Sequence, residues 1–342
     1  MKLGLQLGYW GQLPSPDWVD RAVAAEELGF TSVWTAEAWG SDALTPLAYL
    51  AAKTERIKLG TAVVQLAART PTATAMSAIT MDHLSNGRFQ LGLGVSGPQV
   101  VEGWYGRPSN KPLARTREYI EIIRKVMERE EPLNYQGEFH QHPYSGEGSV
   151  GLGKPLKSIV HPLRRRIPIY LGAEGPKNVT QTAEIADGWL PLYYSPYRQE
   201  VYSEQLAGAK DDFEVAALAA FIVTEDDRPE TIEAALGGTR AMLAFYIGGM
   251  GAKGQNYHTK LAARMGLGEQ AEKIQDLFFE GKGDQAIGEV PVEFADEISL
   301  VGTPARIADR VAAWKESAVT EILIHANDTQ QLRQAAELIL PA

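Results

Sequence analysis

The sequence predicts a (β/α)8 barrel, and three observations carry that prediction. Short apolar segments alternate with amphipathic helical ones along the whole chain. The third apolar segment is hydrophobic on both faces, as a strand covered on both sides must be. A length of 342 residues holds eight such units with some to spare. A parallel strand reaches its neighbour only through a crossover, so the alternation itself selects parallel pairing. A doubly wound open sheet is the rival, but it calls for a glycine fingerprint at the first strand-to-helix turn. Gly8-Tyr9-Trp10-Gly11 is not one.

The first strand is expected at residues 2–7. Ser15 as N-cap and Pro16 in the first turn then open a helix with a stripe of Trp18, Ala22, Ala25 and Leu28, ended by Gly29. Strand two follows at 32–35 and its helix at about 43–53. Strand three, 57–64, is the β-branched apolar segment, and Pro71 opens the helix after it, running to about Leu84. Strand four is expected at 89–93, followed by a long helix from 114 to about 130 with Tyr119, Ile122, Ile123 and Val126 on its buried side. Strand five is 168–171 with a helix from Pro176, strand six 189–192 with a helix near 197–206, and strand seven 213–223 with a helix at 229–246. Strand eight is 321–325, and a helix over 329–338 closes the series. The pattern reads as one domain over 1–342, with insertions at about 131–166 and 247–300.

Composition narrows the function. With 33 Lys+Arg against 43 Asp+Glu the formal charge is −10, which repels a phosphate backbone and an anionic membrane surface, so neither nucleic acid nor membrane is expected as a partner. Cysteine is absent, which removes thiol nucleophiles and disulfide scaffolds. The N-terminal residues alternate and form no signal-peptide core, and no stretch approaches a membrane span, so a cytoplasmic protein is expected. Of six histidines only His140 and His142 are close neighbours, and they lack a third ligand. No metal centre is expected.

In such a barrel the chemistry sits where the strands end. Those loops hold Tyr9, Trp10, Trp39, Tyr193 and Tyr194 beside glycine-rich backbone, which favours a large flat ligand with an anionic group. Glu37, directly after strand two and flanked by small residues and Trp39, is either a base or a cap for the next helix. The turn at 171–178 leaves a strand through small residues and starts a helix at Pro176. It can cradle a phosphate or be an ordinary turn, and Glu174 speaks against an anion unless its side chain turns away. The glycine-rich segment 246–258 reads equally as ligand wall or as surface loop. The run Arg164-Arg165-Arg166 precedes strand five and is expected to serve structure or subunit contact.

Four segments now resemble a known family. They contain Leu28-Gly29-Phe30, Leu59-Gly60-Thr61-Ala62-Val63, Ser85-Asn86-Gly87-Arg88-Phe89 and Ala186-Asp187-Gly188-Trp189. In order and spacing the chain resembles the bacterial luciferase-like superfamily, and within it the deazaflavin branch that uses coenzyme F420. The resemblance implies a TIM barrel with the ring at its C-terminal mouth and a non-proline cis peptide kinking strand three, here Ala62–Val63. Cofactor contacts carry over to Glu37, Ala62, Val63, Gln65, Ser96, Gly97, Glu174, Gly175 and Lys177, with Glu37 and Trp39 as candidate catalytic residues. Two positions depart from relatives that oxidise sugars and alcohols. Glu37-Ala38 stands where they carry Asp-His, and Pro98-Gln99 follows Ser96-Gly97 where they carry a glutamate. Both departures remove acid/base groups and neither touches the hydride carrier. The implied activity is therefore hydride transfer between F420 and a small organic substrate, with reduction of an activated C=C or C=N bond favoured. Its proton would come from Glu37, a tyrosine or water. The alternatives are an FMN-dependent luciferase-like monooxygenase and a non-catalytic cofactor-binding barrel. Family habit implies a homodimer.

Overall fold

The computed structural model describes residues 1–251, 253, 254 and 256–340. Its strands are β1 (Lys2–Gly8), β2 (Ser32–Thr35), β3 (Lys58–Thr61), β4 (Val64–Gln65), β5 (Phe89–Gly94), β6 (Tyr135–Gln136), β7 (Gln141–His142), β8 (Ile169–Gly172), β9 (Gly188–Leu190), β10 (Glu214–Val223), β11 (Ser299–Gly302) and β12 (Glu321–Ile324). The helices used below are α1 (Trp18–Glu27), α2 (Leu44–Ala51), α3 (Pro71–Leu84), α4 (Pro98–Gly103), α5 (Pro112–Glu128) and α6 (Pro176–Ile185). Hydrogen bonds join β10, β12, β1, β2, β3, β5, β8 and β9 in that order and return to β10. That closed ring is a (β/α)8 barrel.

The chain packs as two compact units. One holds residues 1–7, 15–33 and those from 172 onward, the other residues 8–14 and 34–171. In the first, β12 lies between β1 and β10, with Leu3 opposite Ile322 and Ala217 opposite the same residue. Buried Ser32 donates to Glu321 Oε1 at 2.7 Å, which satisfies a carboxylate that the strand would otherwise strand in the core. In the second, β3 and β5 pair with Leu59 opposite Phe89. A Cβ on Gly60 would fall 2.2 Å from the Trp34 ring. Glycine is therefore what lets the buried Trp34 lie on the strand and meet Tyr170 edge-on at 5.3 Å.

Several expectations shift. The first helix begins at Trp18, with Asp17 at the N-cap, because Ser15 bonds the Asp17 carboxylate instead of a helix N–H. Strand three is not continuous: it breaks between β3 and β4 at a cis Ala62–Val63 bond, the position the resemblance implied. The helix expected over 229–246 is divided into Pro229–Ala235, Gly237–Ala244 and a π-turn at Phe245–Gly249. The stretch 247–300 is mainly helical, and its last residues open β11, a buried strand paired with the second half of β10. Four residues at the end of a helical stretch carry too little periodicity to be read as a strand.

The segment 131–166 is irregular apart from the β6–β7 hairpin, with Tyr135 opposite His142. Its turn is pinned to α5, because the Glu118 carboxylate accepts the N–H groups of Glu138, Phe139 and His140 at 2.7, 3.0 and 3.0 Å. The arginine run at its end is anchored too. Arg164 Nε lies 3.0 and 3.1 Å from the carboxylate of Asp82, whose side chain is fully buried, and Nη2 donates to the Phe89 carbonyl at 2.7 Å. Removing one partner of such a pair leaves a buried charge uncompensated. Arg164→Ala is therefore expected to cost about 3 kcal/mol in a denaturant titration, while the exposed Arg165→Ala costs little. Equal, small losses in both variants would refute the anchoring role.

Candidate active site

In the unit containing residues 34–171 the exit of β2 brings Glu37 among donors. Its side chain is 3% exposed. Oε1 accepts the Gln65 N–H at 2.8 Å, both carboxylate oxygens lie 3.0 Å from Arg69 Nη1, and the Ala43 N–H reaches Oε2 at 3.4 Å. The main chain of the same residue is held as well: its carbonyl accepts Gln65 Nε2 at 3.0 Å and its N–H donates to the Val63 carbonyl at 3.3 Å. The two readings of Glu37 as base or helix cap thus meet a third arrangement. The first N–H groups of α2 are met mainly by Asp42, the residue before the N-cap Ala43, which accepts from Leu44 and Thr45 N–H at 2.9 Å each. Glu37 instead ties the exit of β2 to the segment after the strand break.

That break is built from neighbouring contacts. The Ala62 N–H bonds the Thr35 carbonyl at 2.7 Å, and Thr61 Oγ1 exchanges two 2.8 Å bonds with the backbone of Gly92. Val63 lies over Gly94, where an added Cβ would come within 2.5 Å of Val63 Cγ2. Gln65 Oε1 is buried and has no hydrogen-bond partner among the described residues. Past β5, Ser96 adopts a left-handed backbone with φ +61°, and Gly97 is the N-cap before Pro98 opens α4. Trp39 is 55% exposed. Burial, assisted by Glu37 and opposed by Arg69, raises the Tyr105 phenol above its ordinary range. Burial likewise pushes Tyr119 up to about 12, against its bond to Thr74.

The other unit holds the turn after β8. Gly175 is the N-cap of α6, Pro176 occupies the first turn, and an added Cβ on Gly175 would meet nothing within 4 Å. Lys177 is exposed. Glu174 turns inward. Its Oε1 accepts the Leu192 N–H at 2.7 Å, while Oε2 is enclosed and without a partner among the described residues. Burial raises this carboxyl to about 8, with the Leu192 N–H and Arg264 opposing. Arg264 donates to the Glu174 carbonyl at 2.9 Å.

Tyr193, whose phenol senses the Glu174 charge, belongs to an aromatic group. The Tyr193 and His258 rings are 5.7 Å apart, Tyr193 and Tyr246 5.9 Å, and Tyr246 and His258 5.1 Å, all edge to face. Asn256 sets this corner by accepting the His258 N–H at 2.8 Å and donating to the carbonyls of Tyr246 and Ile247. Tyr193 OH and His258 Nδ1 are enclosed and have no hydrogen-bond partner among the described residues. Burial lowers His258 to about 4. Two residues of the segment 246–258, Ala252 and Gln255, lie outside the described residues.

Among the described residues no group of three or more His, Cys, Asp or Glu is arranged to hold a metal ion. No helix among them is long and apolar enough to cross a membrane.

The model of the luciferase-like monooxygenase family matches residues 9–321. The chain belongs to that family. This luciferase-like protein is 50% identical to a Mycobacterium tuberculosis protein described as a "putative coenzyme F420-dependent oxidoreductase", over 99% of both chains. It is 30% identical to the 5,10-methylenetetrahydromethanopterin reductase of Archaeoglobus fulgidus, over 92% of this chain and 91% of that one. Among solved structures, the F420-dependent tetrahydromethanopterin reductase of Methanopyrus kandleri superposes with a TM-score of 0.75 at 24% identity, covering 99% and 98% of the two chains. That last likeness speaks for the fold.

Of the residues singled out in the sequence of this luciferase-like enzyme, Glu37, Ala62, Val63 and Gln65 form one bonded cluster, with Ser96 and Gly97 at the end of β5. Glu174, Gly175 and Lys177 belong to the turn after β8, and within it a Glu174 carboxylate oxygen is enclosed while Lys177 is exposed. The sequence reading passed over Arg69 and Arg264 entirely. Neither stands in a motif, and only the fold brings their guanidinium groups to glutamates 32 and 90 positions away. Tyr193 was on the strand ends and His258 in the glycine-rich segment, but nothing in their spacing tied one to the other.

Proposed function

We propose that the chain is an F420-dependent oxidoreductase that transfers a hydride between the deazaflavin and a small organic substrate, with reduction of an activated C=C or C=N bond as the favoured reaction. The observation that carries this reading is the 50% identity over 99% of both chains to the mycobacterial protein described as a "putative coenzyme F420-dependent oxidoreductase". The residues present fit such a group. Gln65 offers a buried carbonyl oxygen, unpartnered among the described residues and suited to a ring N–H. Gly175 opens α6 with free space beside its backbone, which suits a phosphate at a helix start.

When bound, the cofactor supplies or takes up the hydride. Glu37 and Arg69 then act through Gln65: they hold its main chain and, by the Glu37 carbonyl, its amide plane, so that its free oxygen is aimed before any ligand arrives. Val63 is held against Gly94 as an apolar surface for the ring. Ser96 and Gly97 extend backbone at the next strand end, Lys177 adds positive charge near the phosphate turn, and the exposed Trp39 offers substrate a flat face. Ala38, beside Glu37, carries no titratable group, which disfavours oxidation of an alcohol because that reaction needs a base for the hydroxyl proton.

Direct titration decides the cofactor. F420 is expected to bind at least about tenfold tighter than FMN, a difference of about 1.4 kcal/mol. Equal or tighter FMN binding would overturn the reading in favour of an FMN-dependent monooxygenase, and no binding of either would leave a barrel without this cofactor chemistry.

A further inference from the structure

In the unit that holds residues 34–171, two neighbouring surface helices lack what surface helices normally carry. α2, of 8 residues, and α3, of 14, pack side by side and hold one charged residue between them, Asp82, in a chain that is 22% charged. Asp82 is buried and taken by Arg164. The exposed residues of α2 are therefore Thr45 and Tyr49, and those of α3 are Met76, Thr80, His83 and Leu84. A helix that meets water normally turns charged side chains to it. Here the large outward groups are Tyr49, Leu84 and Met76, the last 63% exposed. Met76, Thr80 and Leu84 stand four residues apart, so they form one stripe.

The end of the segment 131–166 continues the same face. His83 Nε2 and the His161 carbonyl oxygen lie 2.8 Å apart, Arg164 holds Asp82, and Leu163 reaches the turn at Gly87, so residues 161–164 are fastened to the end of α3. Further back, the Leu156 carbonyl accepts the Leu133 N–H at 2.8 Å and the Ser158 carbonyl accepts Arg129 Nε at 2.7 Å. The backbone is thus held by its carbonyls while apolar side chains stay in water: Ile159 is 93% exposed, and Leu156, Val160 and Leu163 are exposed as well. Such a surface costs free energy until something covers it. The large groups of the two helices and this segment present roughly 500 Å² of apolar area. At the two-thirds apolar share usual in homodimer interfaces this is a face of about 800 Å², which is what each partner of a standard-size interface hides.

We propose that this face is where two copies of the chain meet about a two-fold axis. A two-fold contact sets a patch against itself, so a charge near the axis meets its own like. Charge-free helix faces avoid that repulsion by composition. An anionic membrane or an acidic protein would instead call for a cluster of free cations here. Three basic groups beside the face are already engaged: Arg164 by Asp82, Lys157 by the Glu130 carbonyl at 2.6 Å, and Lys53 over the Tyr49 ring at 5.4 Å. The proposal concerns assembly and does not depend on which cofactor the barrel binds.

Sedimentation equilibrium of the full chain is the first test. Wild type is expected to be a dimer with a Kd of about 1 µM or below. Met76→Glu and Ile159→Glu, which place a carboxylate on the exposed face without entering the core, are each expected to weaken it at least about 100-fold. Leu13→Glu, at an exposed apolar position in the loop after β1, is the control and is expected to stay dimeric. The chain has no cysteine, so Thr80→Cys supplies a single thiol on the stripe for a second measurement. With Ellman's reagent it is expected to react at least about tenfold more slowly than the same thiol in a Thr80→Cys, Met76→Glu double variant. A wild-type chain that stays monomeric, a dimer that both glutamate variants leave as tight as wild type, or equal thiol rates would overturn the proposal. Monomers that float with phosphatidylcholine vesicles would overturn it in favour of a lipid surface.

Discussion

Truncating Arg69 to alanine is expected to lower stability by about 3 kcal/mol, a fall of roughly 4 °C in Tm for a chain of this size. The reason is the asymmetry of the pair it leaves behind. Glu37 is 3% exposed and Arg69 23% exposed, so the variant keeps a carboxylate that is out of water and has lost its counter-charge. Two backbone N–H groups remain and offset part of the penalty. The companion Glu37→Gln removes the charge and keeps the shape. The double variant is therefore expected to be more stable than the sum of the two single losses predicts, by at least about 1 kcal/mol in a double-mutant cycle. Additive losses, or an Arg69→Ala variant that melts with wild type, would mean that Glu37 does not depend on this guanidinium. F420 titration of the same variants adds a second reading. If Glu37 acts by holding Gln65, Glu37→Gln and Arg69→Ala weaken cofactor binding together.

The second large effect is a pH dependence. The Glu174 carboxyl is raised from 4.5 to about 8 in the folded chain, so between those values the folded state keeps a proton that the unfolded state has lost. Stability then falls as pH rises through that window, by about 1.4 kcal/mol per pH unit, and is level above it. His258 has the opposite sign. It is lowered from 6.5 to about 4, so the unfolded chain takes up a proton first and stability falls as pH drops through that window. From 4.5 to 6.5 the two slopes cancel, and from 6.5 to 8 Glu174 acts alone. Denaturant titrations of wild type and Glu174→Gln isolate it, since His258 and the similarly lowered His325 are common to both. The variant is expected to gain about 2 kcal/mol on wild type between pH 6.5 and 8. A difference that does not change with pH would show that Glu174 is ionised throughout.

Much of this architecture was legible because it repeats. Apolar segments such as Leu3–Leu5 and Leu59, and helix starts such as Pro71 and Pro176, follow from local rules of period and capping. The helix that opens at Thr303-Pro304 was not read. The eight ring strands stand where alternation put them. β11 escaped because four residues hold no period, and the first helix slipped because Ser15 found the Asp17 side chain before it found a helix N–H. The residues at the strand exits were legible too, since a barrel puts its chemistry there: Glu37, Gln65, Ser96, Gly97 and Glu174 could be named from position alone.

Their roles could not. Whether a glutamate is a saturated acceptor or a bare acid depends on donors that arrive from elsewhere in the chain. Glu37 is the first because Arg69, 32 residues on, reaches it, and Glu174 is the second because Leu192 satisfies only one of its oxygens. The sequence by itself determined the periodicity, the barrel and the candidate positions, all of which are properties of neighbours along the chain. Only the tertiary structure decided how each carboxyl is held, because burial and hydrogen bonding are set by neighbours in space.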